Sequence, residues 1–571
     1  MQRGAHGVLV LETERGPRTY LLGAHSDLGA SPPLLDWRTA PLAEPFFRCA
    51  PGEPYAIEVG DHVLEGRVRE RGLLDANGAR VAELEPAPLA GRAPDRALLP
   101  VLDADQQRAV DLPRDTSLVV DGEAGVGKTL VALYRVAALA GTARTRGRRF
   151  RALVLVPTEG LRRLCRVLAE RLAISRLEIA VVDDWLVARA RRAFSGLPAR
   201  ASAGASAQVI ALKRHPAVRA ALDDFISWKP PRSDDKLPRS RARLLHLFGD
   251  RDRLARIVDA SAGALPARAI AQVIAHTRVQ FETTTERAHA HVDADRLIAL
   301  DHRALDAGTP TEDVDTFDAE DVPVLFELVR RGALPGAELE TYDHIVLDEA
   351  QLRAPMELAA IGDALAPGGS ITLAGDHRQA TDETAYFTGW PAARHELPPR
   401  AWAEVTLAVT YRSVPAIAEL ARSWRLPAEP PPDPAVWASA RTGAFHQAAV
   451  LCWQLSALAA RDPWRQIAVV ARTPEHARRL HGELARGIDA TLVLAGDFRF
   501  EPGIVVTTAA AVSGLEFDAV VIPDLSPAFY PANPELARSL YVAATRARDW
   551  LWLLTPEAWS PLVHAHATRI E

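Results

Sequence analysis

Ser117 to Ala140, reading SLVVDGEAGVGKTLVALYRVAALA, constrains the fold more than any other stretch of the 571-residue chain. It opens as a buried strand, Leu118-Val119-Val120, turns through Gly122, Gly125 and Gly127, and continues with Leu130, Leu133, Tyr134, Val136 and Ala137 at helical spacing. The turn spells G-x-x-x-x-G-K-T through Gly122, Glu123, Ala124, Gly125, Val126, Gly127, Lys128 and Thr129. Glycines let successive amides curl around a phosphate chain at the positive end of a helix. In such a P-loop Lys128 reaches the terminal phosphates and the Thr129 hydroxyl holds Mg²⁺. Only four of the 67 basic residues are lysines, which makes a lysine at this one position a specific signal of a nucleotide-binding protein.

The length predicts several domains, and a 48% hydrophobic content supplies several cores. No apolar run approaches the ~20 residues needed to span a bilayer, and Met1 to Gly7 lacks the hydrophobic region of a signal peptide. A soluble, cytoplasmic protein without a membrane partner is expected. Cys49, Cys165 and Cys452 are isolated, which suggests neither a disulfide framework nor a zinc site. A net charge of −6 excludes bulk electrostatic coating of nucleic acid, so any nucleic-acid track must be local.

Residues 1–95 carry short strand-like runs, Val8 to Leu11, Tyr20 to Leu22, Tyr55 to Val59, His62 to Leu64 and Arg80 to Ala82, broken by Gly, Pro, Asp and Asn-Gly. They predict a small β-rich module. Within it, Asp36-Trp37-Arg38 with Pro41, Pro45, Phe46, Phe47 and Arg48 is either core or partner surface, with core favoured. A proline-bearing linker, Glu85 to Pro100, leads to Asp103, a candidate helix cap, and to Gln106. A glutamine amide just upstream of a P-loop can read an adenine edge with one donor and one acceptor.

Ala152 to Val156 and Ile179 to Val182 read as further buried strands, and their alternation with helices predicts a parallel doubly wound sheet. Residues 186–340 read as an inserted helical subdomain with a basic stretch from Lys213 to Arg256, a solvated face or a phosphate contact, and an acidic one from Glu312 to Asp321. The sheet resumes at Ile345 to Leu347 and ends in Asp348-Glu349. An acid at the tip of a hydrophobic strand is placed to hold Mg²⁺, and the next carboxylate to polarise the attacking water, so Asp348 is the candidate metal residue and Glu349 the general base. Ser370 to Ala374 closes with Gly375 to Gln379, and Gln379 can orient that water or sense the γ-phosphate.

A second α/β unit is expected over residues 406–571, from strand-like runs at Thr406 to Tyr411, Gln466 to Ala471, Ile504 to Thr508, Ala519 to Ile522 and Trp550 to Leu554, with Asn533-Pro534 opening a helix. It has no phosphate loop of its own, which makes Arg412 and Arg546 candidates to reach a triphosphate held by residues 96–185 and 341–405.

The series Gln106, Gly122 to Thr129, Asp348-Glu349-Ala350-Gln351, Gly375-Asp376 with Gln379, Tyr411-Arg412-Ser413, Gly514-Leu515-Glu516-Phe517 and Tyr541 to Ala547 resembles superfamily 1 helicase-like ATPases of the UvrD type. The resemblance implies two RecA-like lobes with parallel sheets that clamp ATP and Mg²⁺ and ratchet along single-stranded nucleic acid, DNA ahead of RNA, from 3′ to 5′. It further implies Gln106 on adenine, Tyr411 stacked on the base, Arg412 and Arg546 on the γ-phosphate and Glu516 on the ribose. The chain departs from that pattern in three places. There is no room for a large insertion between Ser413 and Thr507. Ala380-Thr381-Asp382 follows Gln379 where base-stacking aromatics are usual, with Trp390 further on. Ser513 and Ala510 stand where lysine and histidine are usual.

Asp36 to Pro41 with Pro45 to Arg48, and Asp321 to Leu325, are also similar to segments of the HelD-type ATPases, which implies RNA polymerase as an alternative partner. Those proteins begin with a coiled-coil arm, whereas here the β-rich module is expected to start almost at Met1.

Overall fold

The computed structural model describes residues 4–14, 16–59, 62–75, 77–81, 102–123, 126–174, 176–202, 205–225, 238–281, 314–379, 382–398, 400–407, 415–423, 436–440, 443–563 and 568–570. Two compact units share the chain. The central unit comprises Leu99–Pro157 and Cys165–Val409; the terminal unit comprises Met1–Leu98, Thr158–Leu164 and Thr410–Glu571.

In the terminal unit, β1 (Ala5–Thr13), β2 (Gly16–Gly23), β3 (Leu34–Asp36), β4 (Pro54–Val59) and β5 (His62–Leu73) form a sheet in the order β3-β2-β1-β5-β4, with α1 (Glu44–Arg48) between β3 and β4. β1 lies antiparallel to β2 and β5 and buries Leu9 and Leu11 on one face. The strand expected at 80–82 is reduced to one bridge between Leu74 and Arg80. Ala82 and the linker from Glu85 to Pro100 lie outside the described residues.

The chain continues through α2 (Ala104–Val110), β6 (Thr116–Gly122), α3 (Lys128–Thr145), β7 (Ala152–Val156), α4 (Glu159–Arg171) and β8 (Leu177–Val181). Next come α5 (Val182–Ala193), β9 (Arg200–Ala201), α6 (Ala207–Arg214), α7 (Ala217–Ala221), α8 (Arg239–Phe248), α9 (Arg251–Ala260), α10 (Arg268–Phe281), β10 (Thr316–Phe317) and α11 (Asp321–Arg330). β11 (Tyr342–Leu347), α12 (Pro355–Gly362), β12 (Leu365–Gly375), α13 (Trp390–His395) and β13 (Ala401–Leu407) complete the central unit. Its six-stranded sheet runs β13-β6-β12-β11-β7-β8, every neighbour parallel. Helices cover both faces of such a sheet, which is why β6 and β7 read as continuous apolar runs. The strand expected at 406–411 to open the second α/β unit instead runs Ala401–Leu407 and pairs with β6 on this first sheet, because Val405 and Leu407 continue its apolar edge.

The helices between β8 and β11 are not a body with its own core: Trp185, Leu212, Leu247, Phe317 and Leu325 share one apolar cluster with Leu153, Leu155, Ile345 and Leu347 of the sheet. Much of the basic stretch from Lys213 to Arg256 is spent internally. Lys213 pairs with Asp318 and Asp321, Arg214 with Glu357 and Asp382, Arg219 with Glu396, and Arg241 with Asp315.

The terminal unit resumes with α14 (Pro415–Ser423), β14 (Val436–Ala440), α15 (Ala444–Arg461), β15 (Gln466–Ala471), α16 (Pro474–Leu484), β16 (Ala490–Leu492), β17 (Gly503–Thr508), β18 (Phe517–Ile522), α17 (Pro534–Ala544), β19 (Ala547–Thr555) and β20 (Thr568–Ile570). The strands form a parallel sheet in the order β16-β17-β15-β18-β19-β14-β20. The aromatic cluster of the β-rich module is core: Trp37, Phe46 and Phe47 are buried against Phe445, and Trp453 Nε1 donates to Phe46 O at 2.9 Å. Arg486 donates to Trp37 O and Ala40 O, so α15 and the α16–β16 turn fasten the module to the larger sheet. Among the described residues, no helix is long and apolar enough to cross a membrane.

Candidate active site

The carboxyl ends of the central strands meet at one edge of the sheet. Register pairs Gly375 with Asp121, Leu407 with Gly122, and Leu347 with both Leu155 and Leu373. Loops leaving this edge carry the polar groups, as in open parallel sheets generally. β6 ends at Gly122, where a Cβ would lie 2.8 Å from Leu407 O, and Gly127 takes φ +87° before α3 begins. Both positions therefore need glycine. Ala124 and Gly125 lie outside the described residues.

Lys128, the first residue of α3, is 7% exposed and donates through Nζ to Gly122 O at 2.8 Å and Glu123 O at 2.9 Å. Its ammonium thus folds back over the loop at the positive end of an 18-residue helix. Thr129 Oγ1 donates to Asp348 Oδ2 at 2.5 Å, and Asp348 N donates to Leu155 O. Burial, and then the neighbouring Glu349, push the Asp348 carboxyl up to about 6. Glu349 sits at φ +50°, ψ +43°, a left-handed conformation uncommon outside glycine. Its Oε2 accepts from Gln351 Nε2 at 2.6 Å, and Gln351 Oε1 accepts from Asp376 N at 3.3 Å. One amide thereby joins the tips of β11 and β12.

Gln106 forms a capping box with Asp103, and its Nε2 donates to Val126 O at 3.0 Å. Both ends of the amide expected to read adenine are engaged in holding the loop. Gln379 closes a 3₁₀ turn from His377, and its side chain lies outside the described residues, as do Tyr411 and Arg412. Trp390 is no base-stacking surface. It is 3% exposed, packs on Phe387 and donates through Nε1 to Asp121 Oδ1 at 2.9 Å.

Asp121 is the residue that motif reasoning missed. Besides Trp390, it accepts from His377 N at 3.2 Å and from His377 Nδ1 at 2.8 Å. Burial opposes ionisation, but these hydrogen bonds win and hold its carboxyl below the usual carboxylate range. The available signal was an acid closing the otherwise apolar strand LVVD. Asp121→Asn, which puts a donor in place of one of the two oxygens that serve these three N–H groups, is expected to cost about 1.5–3 kcal/mol in urea denaturation. Because the folded-state pKa is depressed, the wild-type contribution is present above the unfolded carboxylate pKa and fades as pH falls. The gap between the two proteins therefore narrows in acid.

In the terminal unit, Glu516 is half-buried in the turn before β18. Arg546 is 4% exposed and donates to Val542 O, Leu515 O and Thr545 Oγ1. Its guanidinium braces α17 against the Gly514–Glu516 turn.

Comparison with known proteins adds one family: the model of the UvrD-like helicase C-terminal domain matches residues 503–554, the stretch from β17 to β19. No curated protein matches the chain. Among solved structures, the C-terminal domain of a possible DNA helicase from Lactobacillus plantarum WCFS1 is 24% identical, over 28% of this chain and 100% of that one, with a TM-score of 0.25.

Proposed function

We propose that this chain is an ATP-hydrolysing motor of two RecA-like lobes that moves on single-stranded nucleic acid, DNA ahead of RNA, from 3′ to 5′, in the cytoplasm. One observation carries the reading: Thr129 Oγ1 meets Asp348 Oδ2, with Lys128 beside the first and Glu349 beside the second, at the carboxyl edge of a parallel sheet. The match of residues 503–554 to a helicase domain supports it independently.

The hard oxygen pair of Thr129 and Asp348 suits Mg²⁺, which would neutralise charge on phosphate oxygens. Lys128 exchanges its two carbonyl partners for the terminal phosphates. Loop amides from Gly122 to Thr129 line the phosphate chain at the head of α3. Glu349 takes the proton of the attacking water on the carboxylate that Gln351 now orients. Gln106 supports the loop, and contact with adenine requires its amide to leave Val126. Arg546 must likewise leave Val542 O, Leu515 O and Thr545 Oγ1 to serve a phosphate.

The HelD-type alternative, with RNA polymerase as partner, draws no support from Trp37, Phe46 and Phe47, which are core, although Arg38, Pro41 and Arg48 of the same segment are exposed. Steady-state ATP hydrolysis alone, with single-stranded DNA, with single-stranded RNA and with core RNA polymerase tests both, with Lys128→Ala as the blank. Stimulation by a single strand is the expected result. No turnover above the blank under any condition overturns the motor reading, and stimulation by polymerase alone favours the alternative.

A further inference from the structure

Four arginines crowd the turn that leaves α3: Arg144, Arg146, Arg148 and Arg149, all exposed. The turn is well fixed. Arg146 N and Arg148 N donate to Ala143 O, Gly147 N donates to Arg144 O, and Gly147 takes φ +63°. None of the four guanidiniums pairs with a carboxylate of the described residues. Three carboxylates on this edge of the sheet have partners already: Glu340 pairs with Arg151, Asp343 with Arg114, and Glu178 accepts from Tyr342. Register places Ala152 of β7 opposite Leu177 of β8, so Arg176, immediately before β8, enters opposite Arg151, two residues on from Arg149. Arg176 is also exposed and without a carboxylate partner among the described residues, as is Arg171 at the end of α4, next to the exposed Glu170.

This edge is the amino end of the strands. The 18 residues of α3 separate it from Lys128 by about 27 Å at 1.5 Å per residue. The nucleotide proposed at the other end cannot be what these cations bind. A cation or two in the last turn of a helix is accounted for by the helix dipole. Arg148, Arg149 and Arg176 stand beyond that turn, and in a chain of net charge −6 such a cluster is a local feature. The four arginines are spread along an exposed turn and a strand edge, a spacing that suits an extended polyanion more than a small anion. Guanidinium forks match phosphate oxygens two at a time.

We propose that the amino edge of the central sheet, through Arg146, Arg148, Arg149 and Arg176, is a docking surface for the phosphodiester backbone of a nucleic acid, separate from the nucleotide site. It rests on the nucleic-acid reading given above. The test is fluorescence anisotropy with a labelled single strand, the same sequence as a duplex and an RNA strand, across a potassium chloride series. The full chain is compared with a variant carrying Arg146→Gln, Arg148→Gln, Arg149→Gln and Arg176→Gln, and with the corresponding four-lysine variant. Each phosphate contact contributes about 0.7 to 0.9 to the slope of log affinity against log salt. The glutamine variant is expected to lose roughly three of that slope and at least tenfold in affinity near 0.1 M salt. The lysine variant should keep the slope, and ATP hydrolysis without nucleic acid should not change. Equal slope and affinity in wild type and glutamine variant overturn the proposal while leaving the motor reading intact. Wild type that binds none of the three probes at low salt overturns both.

Discussion

Glu349→Gln is expected to lower ATP turnover about 10²- to 10⁴-fold while leaving nucleotide affinity nearly unchanged. The magnitude is that of losing a positioned general base. The split between binding and turnover follows from geometry. Lys128 and Thr129 open α3 and Asp348 follows β11, and the side-chain hydrogen bonds described for the first two run to Gly122 O, Glu123 O and Asp348 Oδ2. Glu349 N still donates to Asp348 Oδ1, so the variant keeps the backbone that aims the Asp348 carboxylate. The left-handed conformation at φ +50° adds a second, independent readout. A residue other than glycine or asparagine costs about 1–2 kcal/mol there, and such strain persists where the surroundings over-determine it. Glu349→Asn, whose short side chain tolerates that backbone, should therefore be as inactive as Gln yet no less stable than wild type in urea. Single-turnover hydrolysis and binding of a fluorescent nucleotide check the first expectation. Wild-type turnover in either variant removes Glu349 from the site.

Residues whose position follows from chain order were legible in the sequence. A glycine turn between an apolar strand and an amphipathic helix can fold in few ways, so Lys128 and Thr129 were placed by local pattern alone, and Asp348-Glu349 by their position at the end of the buried run HIVL. Contacts made by residues far apart in the chain were not. Asp121 gains its meaning from Trp390 Nε1, 269 residues away, and nothing near Trp390 in the sequence distinguishes a buried indole from a base-stacking one. The strand expected at 406–411 is placed in the second unit, whereas Thr406 and Leu407 end a strand of the first sheet, because an apolar strand carries no mark of its neighbours, and register is a tertiary property. The basic stretch from Lys213 to Arg256 misled for the same reason. Its carboxylate partners lie as far on as Asp382 and Glu396, so from sequence it resembled a free cationic face. The short run after α3, by contrast, has no carboxylate partner among the described residues.

Lys213→Met should destabilise the central unit by about 3–5 kcal/mol, the usual cost of removing one member of a buried ionic cluster. Lys213 is fully buried and donates to Asp318 Oδ2 at 2.6 Å and Asp321 Oδ1 at 2.7 Å. Burial alone would strip its proton, and the two carboxylates overcome this and hold the ammonium charged. Asp318 also accepts from Gln280 Nε2 at 2.7 Å and lies 3.0 Å from His276 Nε2, and its carboxyl is held well below the usual range. Burial pushes Asp321 the other way. Methionine fills the volume but leaves both carboxylates without their cation, so both are expected to titrate upward. A raised folded-state carboxylate pKa means that stability is lost as pH rises through it, whereas the wild-type Asp318 contribution is lost as pH falls. The two stability curves should therefore converge in acid and diverge toward neutral pH. Adding Asp318→Asn and Asp321→Asn to Lys213→Met removes the stranded charges and should restore part of the loss. A deficit in the single variant that is the same at pH 5 and pH 8 would contradict the ionic origin. The consequence reaches the site through the next residue. Arg214, on the same turn of α6, donates to Leu352 O, Glu357 and Asp382, bracing the chain just after Glu349 and just after Gln379. With α6 loosened, these two segments lose a common anchor. ATP turnover in Lys213→Met should then fall at temperatures below those at which the unit unfolds, whereas a purely global effect would leave turnover at the wild-type level until unfolding begins.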